Sequence, residues 1–235
     1  VLTGGGATGA MLEWAGARCV RCAVLRERAA AFLKQASLEC VFPLNRGEPG
    51  GKDLDDEARR EFLQMVTNHQ QRDDPCGWCD TVYRNAGGDP RGVFWADLAV
   101  NPWLQAWLDA HPGEGAGLHA VTVGCGVGDD SEALAAHGYQ VTAFDISPAA
   151  IELCRNRYPD SAVDYRVADL FDHPRGWLRR FDLVYECNTI QILPGRYRLR
   201  ALAAIAELVA ADGVALVSCR SRLAGEKENE FPLPL

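Results

Sequence analysis

The sequence lacks any long hydrophobic run, and it lacks a basic start followed by an apolar stretch. No apolar segment approaches the roughly 20 residues needed to cross a bilayer, so we expect no membrane association. Residues 1–10 are rich in glycine and do not have the basic and apolar parts of a secretory signal. These absences predict a cytoplasmic protein.

Positive charge is scarce relative to negative charge, since 24 Lys and Arg residues stand against 32 Asp and Glu residues. The net charge of -8 disfavours nucleic acid as the partner, because that binding depends on Lys and Arg neutralising phosphates. A small or neutral substrate fits this balance better. Formation of a homodimer is left open.

The cysteines do not form the pattern of a secreted disulfide framework, because the nine cysteines are an odd number scattered through predicted strands and helices. Two pairs, Cys19-x-x-Cys22 and Cys76-x-x-Cys79, have the local spacing of a zinc site. The pairs are far apart, and the first lies in an apolar run, where free cysteine is commonly a small buried hydrophobe. We therefore predict no metal, with structural zinc and a redox pair as alternatives.

The chain divides into three predicted segments. Residues 1–65 are an N-terminal extension of unknown role. Residues 66–112 carry most of the tryptophans and are predicted to form short helices that fold over another part of the chain. Residues 113–235 alternate between β-rich runs and helical patterns, which is typical of a parallel sheet with crossover helices.

The third segment predicts an α/β fold, a Rossmann-like three-layer sandwich with a mainly parallel sheet. We predict strands at 118–123, 140–144, 164–167, 181–186 and 214–219. We predict helices at 129–137, 148–158 and 196–211. Ser147 is the predicted N-cap of the second of these helices, because Pro148 suits the first helical position.

A glycine-rich turn, residues 124–128, follows the first of these strands and leads into a helix. A side chain there would block both the tight turn and the close approach of a ligand to the helix N-terminus. Asp145 ends the next strand about 20 positions later, where doubly wound folds place an acid on ribose hydroxyls. Asp169 follows the third strand, where it can accept a hydrogen bond from an adenine amino group. These features predict one nucleoside-binding crevice.

The two acids that follow the glycine-rich turn help to predict which nucleotide is bound. Asp129 and Asp130 in the first helical turn would repel a pyrophosphate but are tolerated beside the ammonium and sulfonium of S-adenosylmethionine. An ordinary role at a helix start accounts for them equally well. The Gly-x-Gly-x-Gly spacing also favours S-adenosylmethionine over a dinucleotide.

Four segments resemble class I methyltransferases, and within these the thiopurine methyltransferase-like group: residues 121–130, 143–148, 168–171 and 181–194. The resemblance extends over residues 77–108, where Trp95 and Asn101-Pro102-Trp103-Leu104 look like the family's helical lid. It implies S-adenosylmethionine as cofactor, S-adenosylhomocysteine as product, and a small-molecule methyl acceptor.

The resemblance also implies which residues contact the cofactor: Gly124, Cys125, Gly126, Gly128, Asp145, Ile146, Asp169, Leu170, Glu186 and Trp95. The glycines would line the methionine and ribose, Asp145 with Ile146 the ribose and adenine edge, and Asp169 with Leu170 the adenine. Glu186 would face the methionine part or the acceptor.

Two features depart from the family pattern. Thr122 stands where many members carry an acid near the cofactor's amino group, a loss for which Glu186 or Asp129 can compensate. The sequence after Arg222 is also too short for the usual C-terminal antiparallel hairpin, which we expect to be absent. Either the chain is truncated relative to its relatives, or the first segment fills that edge of the sheet.

Methyl transfer from a sulfonium is an in-line displacement that needs alignment and exclusion of water. A thiol acceptor is partly ionised near neutral pH, whereas an amine or hydroxyl requires a base. Glu186, Tyr185 and His69 are the candidates for this role.

Three alternatives remain. The opening residues 4–9 also satisfy Gly-x-Gly-x-x-Gly and would form a second nucleotide site, although no full strand precedes them. An NAD(P)-dependent oxidoreductase shares the architecture but is disfavoured by the two acids after the glycines and by the absence of a Tyr-x-x-x-Lys motif. A non-catalytic, methyltransferase-like binding module is consistent with Thr122 and the missing hairpin.

Overall fold

The computed structural model describes residues 37–41, 54–72 and 74–218. The opening glycine motif at residues 4–9 and the pair Cys19 and Cys22 lie outside the described residues. Within the described ranges, no helix combines the length and the apolar character that crossing a membrane requires.

A six-stranded sheet forms the centre of the fold. Its strands are β1 (Ser37–Val41), β2 (His119–Val123), β3 (Gln140–Asp145), β4 (Asp164–Val167), β5 (Phe181–Cys187) and β6 (Val209–Ser218). They lie in the order β1-β6-β5-β2-β3-β4, and every neighbouring pair is parallel. This topology confirms the predicted α/β class.

Helices precede and connect the strands of the sheet. They are α1 (Asp56–Gln71), α2 (Gly77–Asn85), α3 (Pro102–Ala110), α4 (Asp129–Ala136), α5 (Pro148–Arg157), α6 (Thr189–Ile192) and α7 (Gly195–Leu208). Ser147 is the N-cap of α5, as predicted, since its hydroxyl oxygen accepts a hydrogen bond from the Ala150 N–H at 3.0 Å. Two buried clusters of apolar side chains pack around the sheet.

Strand β1 comes from the first segment and pairs with β6. Its register runs from Ser37 opposite Val214 to Val41 opposite Ser218. The first segment therefore fills this edge of the sheet, which is one of the two possibilities that the sequence leaves open. Because β1 joins the sheet, part of the 1–65 extension belongs to the same fold.

Two predicted boundaries need correction. The division between residues 65 and 66 falls inside the continuous helix α1, whose N-cap is Asp55. The last helix, α7, ends at Leu208 and not at residue 211, because Val209 already pairs with Phe181 in the sheet. Carbonyl groups at the end of α7 also accept hydrogen bonds from the backbone that enters β5.

Candidate active site

The glycine-rich loop, residues 124–128, leaves the carboxyl end of β2 at the point where the strand order reverses. Strand β2 lies between β3 and β5, so successive connections run to opposite sides of it. Open α/β sheets bind ligands in the crevice at such a switch point. The loop therefore lies where this class of fold holds its ligands.

All three glycines in this loop adopt conformations that most side chains avoid, with φ of 62° at Gly124, 57° at Gly126 and 94° at Gly128. A Cβ atom on Gly124 would lie 2.2 Å from the Thr189 hydroxyl oxygen, and one on Gly128 would lie 2.7 Å from the Tyr165 hydroxyl oxygen. Backbone geometry and close packing therefore both require glycine at these positions.

Asp145 contacts this loop directly. One carboxylate oxygen accepts a hydrogen bond from the Gly126 N–H at 3.1 Å, and the other accepts one from the Ser147 N–H at 2.9 Å. Burial raises the pKa of Asp145 to about 6. Each carboxylate oxygen has a second acceptor site, so a ligand hydroxyl can still bind there. The adjacent Ile146 is 41% exposed.

Asp169 follows β4 and accepts a hydrogen bond from the Phe171 N–H at 2.8 Å. Leu170 beside it is buried in the core. Burial raises the pKa of the Cys76 thiol to about 12, with further contributions from the carboxylates of Asp169 and Asp145. The carboxylates of Asp145 and Asp169 therefore both lie near the Cys76 thiol.

The helices before the sheet cover the loop through Tyr83 on α2. Its side chain is buried, and its hydroxyl oxygen lies 3.2 Å from the position that a Cβ on Gly126 would take. The Trp95 indole N–H donates to this oxygen at 3.4 Å. Trp95 thus supports Tyr83, which in turn contacts the loop. Sequence reasoning missed Tyr83, because a tyrosine in a short helix belongs to no recognisable motif.

Helix α2 is anchored at the start of α5 by Asp80, a second residue that the sequence analysis missed. The Asp80 carboxylate accepts hydrogen bonds from the Ser147 hydroxyl at 2.8 Å and from the Ala149 N–H at 3.2 Å. Ser147 also binds Asp145 through its backbone N–H. The covering helix and the predicted ribose acid are therefore joined through one serine.

Glu186 is a buried carboxyl group at the carboxyl end of β5. It pairs in register with Val123, the last residue before the loop. One carboxylate oxygen accepts a hydrogen bond from the Ile190 N–H at 2.9 Å, while the other is buried and has no hydrogen-bond partner among the described residues. Burial raises the pKa of Glu186 to about 7. This group therefore changes charge near neutral pH and retains an oxygen for a ligand.

The other two candidate bases have structural partners. Tyr185 is adjacent to Glu186 in the strand, and its hydroxyl donates to Asp130 at 2.9 Å. Burial raises the pKa of Tyr185 well above its ordinary value, so its phenol stays protonated. Nδ1 of His69 lies 2.9 Å from a carboxylate oxygen of Asp74 at the end of α1. These contacts favour structural roles for Tyr185 and His69.

Of the two roles expected for Asp129 and Asp130, the structure favours the one within the protein over the effect on ligand charge. Asp129 forms an ion pair with Arg157, at 2.5 Å and 2.6 Å between nitrogen and oxygen, so its charge is neutralised within the protein. Asp130 accepts hydrogen bonds from the Asn101 N–H and the Tyr185 hydroxyl, and burial raises its pKa to about 6. Both acids therefore have partners within the protein, and these partners account for their positions without a ligand.

The cysteines of this region carry no sign of a metal site. Cys125 is buried in the loop, and a hydrogen bond with Cys154 together with burial raises its pKa. Cys76 and Cys79 lie at the start of α2. In the part of the chain that the structure describes, no group of three or more Cys, His, Asp or Glu side chains is arranged to hold a metal ion.

Comparison with known proteins finds similarity to methyltransferases in the central part of the chain. Residues 120–213 match the family model of a methyltransferase domain. Ubiquinone biosynthesis O-methyltransferase from Bordetella parapertussis is 30% identical over 122 residues, which are 51% of this chain and 51% of the relative. The same enzyme from Xanthomonas axonopodis is 35% identical over 98 residues, 41% of each chain. The chain thus spans about half the length of these curated relatives.

Solved structures with similarity to this chain include two methyltransferases. An S-adenosylmethionine-dependent methyltransferase from Mesorhizobium loti has 28% identity and a TM-score of 0.37, covering 46% of this chain and 47% of the other. Magnesium protoporphyrin IX methyltransferase from Synechocystis, with bound S-adenosylhomocysteine, has 21% identity and a TM-score of 0.47, covering 58% and 68%. The range that matches the methyltransferase-domain model, residues 120–213, contains the glycine-rich loop, Asp145 and Glu186.

Proposed function

We propose that this protein is a class I methyltransferase that uses S-adenosylmethionine. The observation that carries the proposal is the hydrogen bond between Asp145 and the Gly126 N–H, inside the region that matches the methyltransferase domain. It joins the loop and the ribose acid that the sequence predicts for this cofactor. Membership of the thiopurine methyltransferase-like group, a cytoplasmic location and a homodimer stay predictions from the sequence.

The residues of the crevice fit the cofactor. Asp145 offers acceptor sites to the ribose hydroxyls, and Asp169 stands where it can accept a hydrogen bond from the adenine amino group. The free oxygen of Glu186 suits an ammonium group, which matters because Thr122 replaces the usual acid. When bound, the cofactor supplies a methyl group on a positively charged sulfur.

The acceptor is a small molecule, and we favour a hydroxyl group on it. The curated relatives are ubiquinone biosynthesis O-methyltransferases, and a hydroxyl acceptor needs a base near neutral pH. Glu186 has a pKa of about 7, so it can take the proton that leaves the hydroxyl as the methyl group arrives. The two roles considered for Glu186 can be distinguished by kinetics. Loss of a base lowers kcat, whereas loss of a contact to the cofactor's ammonium group weakens cofactor binding.

The proposal is tested by incubating the full chain with methyl-labelled S-adenosylmethionine and a panel of phenols, amines and thiols. We expect label transfer to a hydroxyl-bearing acceptor, with a large loss in the Asp145→Asn variant. Cofactor binding without transfer to any acceptor would support the non-catalytic binding module instead. Absence of both binding and transfer would contradict the proposed function.

A further inference from the structure

The last turn of α5 contacts the back of the glycine-rich loop. A guanidinium nitrogen of Arg157 donates to the Val127 carbonyl oxygen at 2.9 Å. The Cys154 thiol donates to the Gly126 carbonyl oxygen at 3.2 Å. Two consecutive carbonyl groups of the loop are therefore turned toward α5.

Arg157 also binds the helix into which the loop leads. Its two terminal nitrogens donate to the two carboxylate oxygens of Asp129, the first residue of α4, and the Tyr158 hydroxyl donates to the same carboxylate at 3.2 Å. The side chains of Arg157 and Asp129 are 22% and 13% exposed. A guanidinium holds its N–H groups in a fixed planar fork, so one side chain fixes both the loop and the start of α4.

A loop with three glycines needs such a restraint, because glycine residues have more backbone freedom than any other residue. An unrestrained loop would lose that freedom on binding a ligand, at a cost in affinity. Contacts from α5 to the loop carbonyls remove part of this freedom before the ligand arrives.

We infer that Arg157 is a positioning residue that holds the glycine-rich loop in its cofactor-binding conformation by joining the Val127 carbonyl to the Asp129 carboxylate. The inference rests on the proposed function in so far as the ligand is S-adenosylmethionine or its product. In this inference Asp129, the acid that follows the glycines, binds Arg157 within the protein. The sequence alone also allows a direct effect of its charge on the ligand.

Arg155 supplies a matched control in the same turn of α5. Its guanidinium donates to the Tyr165 carbonyl oxygen in β4 and not to the loop. The test compares Arg157→Met, Arg157→Lys and Arg155→Met in the full chain. Three quantities are measured: the thermal unfolding midpoint, amide hydrogen exchange at residues 124–130 without ligand, and the Kd for S-adenosylhomocysteine.

We expect Arg157→Met to accelerate exchange in the loop and to raise the Kd about tenfold, the loss typical of one charge-assisted hydrogen bond. Arg157→Lys should recover part of both losses, because it keeps the charge without the fork. Arg155→Met should leave loop exchange and Kd near the wild-type values, whatever its effect on the unfolding midpoint.

Equal loop exchange in Arg157→Met and Arg155→Met would overturn the inference. If the Met variant does not fold, wild-type values of both exchange and Kd in Arg157→Lys would overturn it equally. If the wild-type protein does not bind S-adenosylhomocysteine, the proposed function fails, while the exchange experiment still decides whether Arg157 orders the loop.

Discussion

At the scale of single residues, burial changes the protonation of the carboxyl groups around the crevice. The pKa values of Asp130 and Asp145 rise to about 6, and that of Glu186 to about 7. A raised folded-state pKa means that the native protein binds the proton more tightly than the unfolded chain. Such a group contributes stability that is full below its unfolded pKa and is lost as the pH rises through its folded pKa.

Glu186→Gln removes this pH dependence at one position, because glutamine keeps the shape of the protonated acid and does not ionise. The wild type loses stability between pH 5 and pH 8 as Glu186 ionises, and the variant does not. The free energy of unfolding of the variant minus that of the wild type should therefore increase by roughly 2 kcal/mol from pH 5 to pH 8. Denaturant unfolding of both proteins at the two pH values measures the difference. A stability difference that stays constant with pH would show that Glu186 is not a buried, titrating acid.

At the scale of elements, parts of the fold could be predicted from local sequence and parts could not. Strands β2 to β5 were placed to within about a residue, because each is short and bounded by turn residues, and β2, β3 and β5 are mainly apolar. The loop and the acids Asp145 and Asp169 were found for a similar reason, since each follows a strand directly. Tyr83 and Arg157 were missed, because their roles depend on which helix packs against the loop.

The connection between α3 and α4 depends on Asn101, the N-cap of α3. Its side-chain oxygen accepts hydrogen bonds from the N–H groups of Trp103 and Leu104, its backbone N–H donates to Asp130, and its amide donates to the Cys187 thiol. Asn101→Ala should lower the free energy of unfolding by about 1 kcal/mol through loss of the cap.

Asn101→Ser provides the control for this substitution, because serine retains a capping oxygen but not the amide that reaches Cys187. Chemical denaturation should place the serine variant between wild type and alanine variant. Equal stability of all three proteins would contradict the capping role.

At the scale of the whole molecule, the chain closes one edge of its sheet with a strand from the opposite end of the sequence. The sequence left open whether the first segment fills this edge, and it did not identify residues 37–41 as the strand, because nothing local to them specifies a partner so distant along the chain. Without β1, the backbone N–H and C=O groups along the edge of β6 would be unpaired, and such an edge promotes association between chains.

Removal of residues 1–53 should therefore lower the unfolding midpoint and cause association that increases with protein concentration. A chain that begins at residue 37 is the matched control, since it lacks most of the same segment but keeps β1. Thermal unfolding and light scattering compare both with the full chain. If the chain without residues 1–53 has the same unfolding midpoint as the control and does not associate, β1 contributes nothing to the stability of the sheet.

The central claim is that the loop at residues 124–128 and Asp145 together hold the adenosine part of S-adenosylmethionine. Calorimetric titration of the full chain with S-adenosylhomocysteine and, separately, with NAD tests it most directly. The account predicts one saturable site for S-adenosylhomocysteine, no heat with NAD, and affinity at least about tenfold weaker in Asp145→Asn. Saturable NAD binding, or an Asp145→Asn variant that binds S-adenosylhomocysteine as tightly as the wild type, would contradict it.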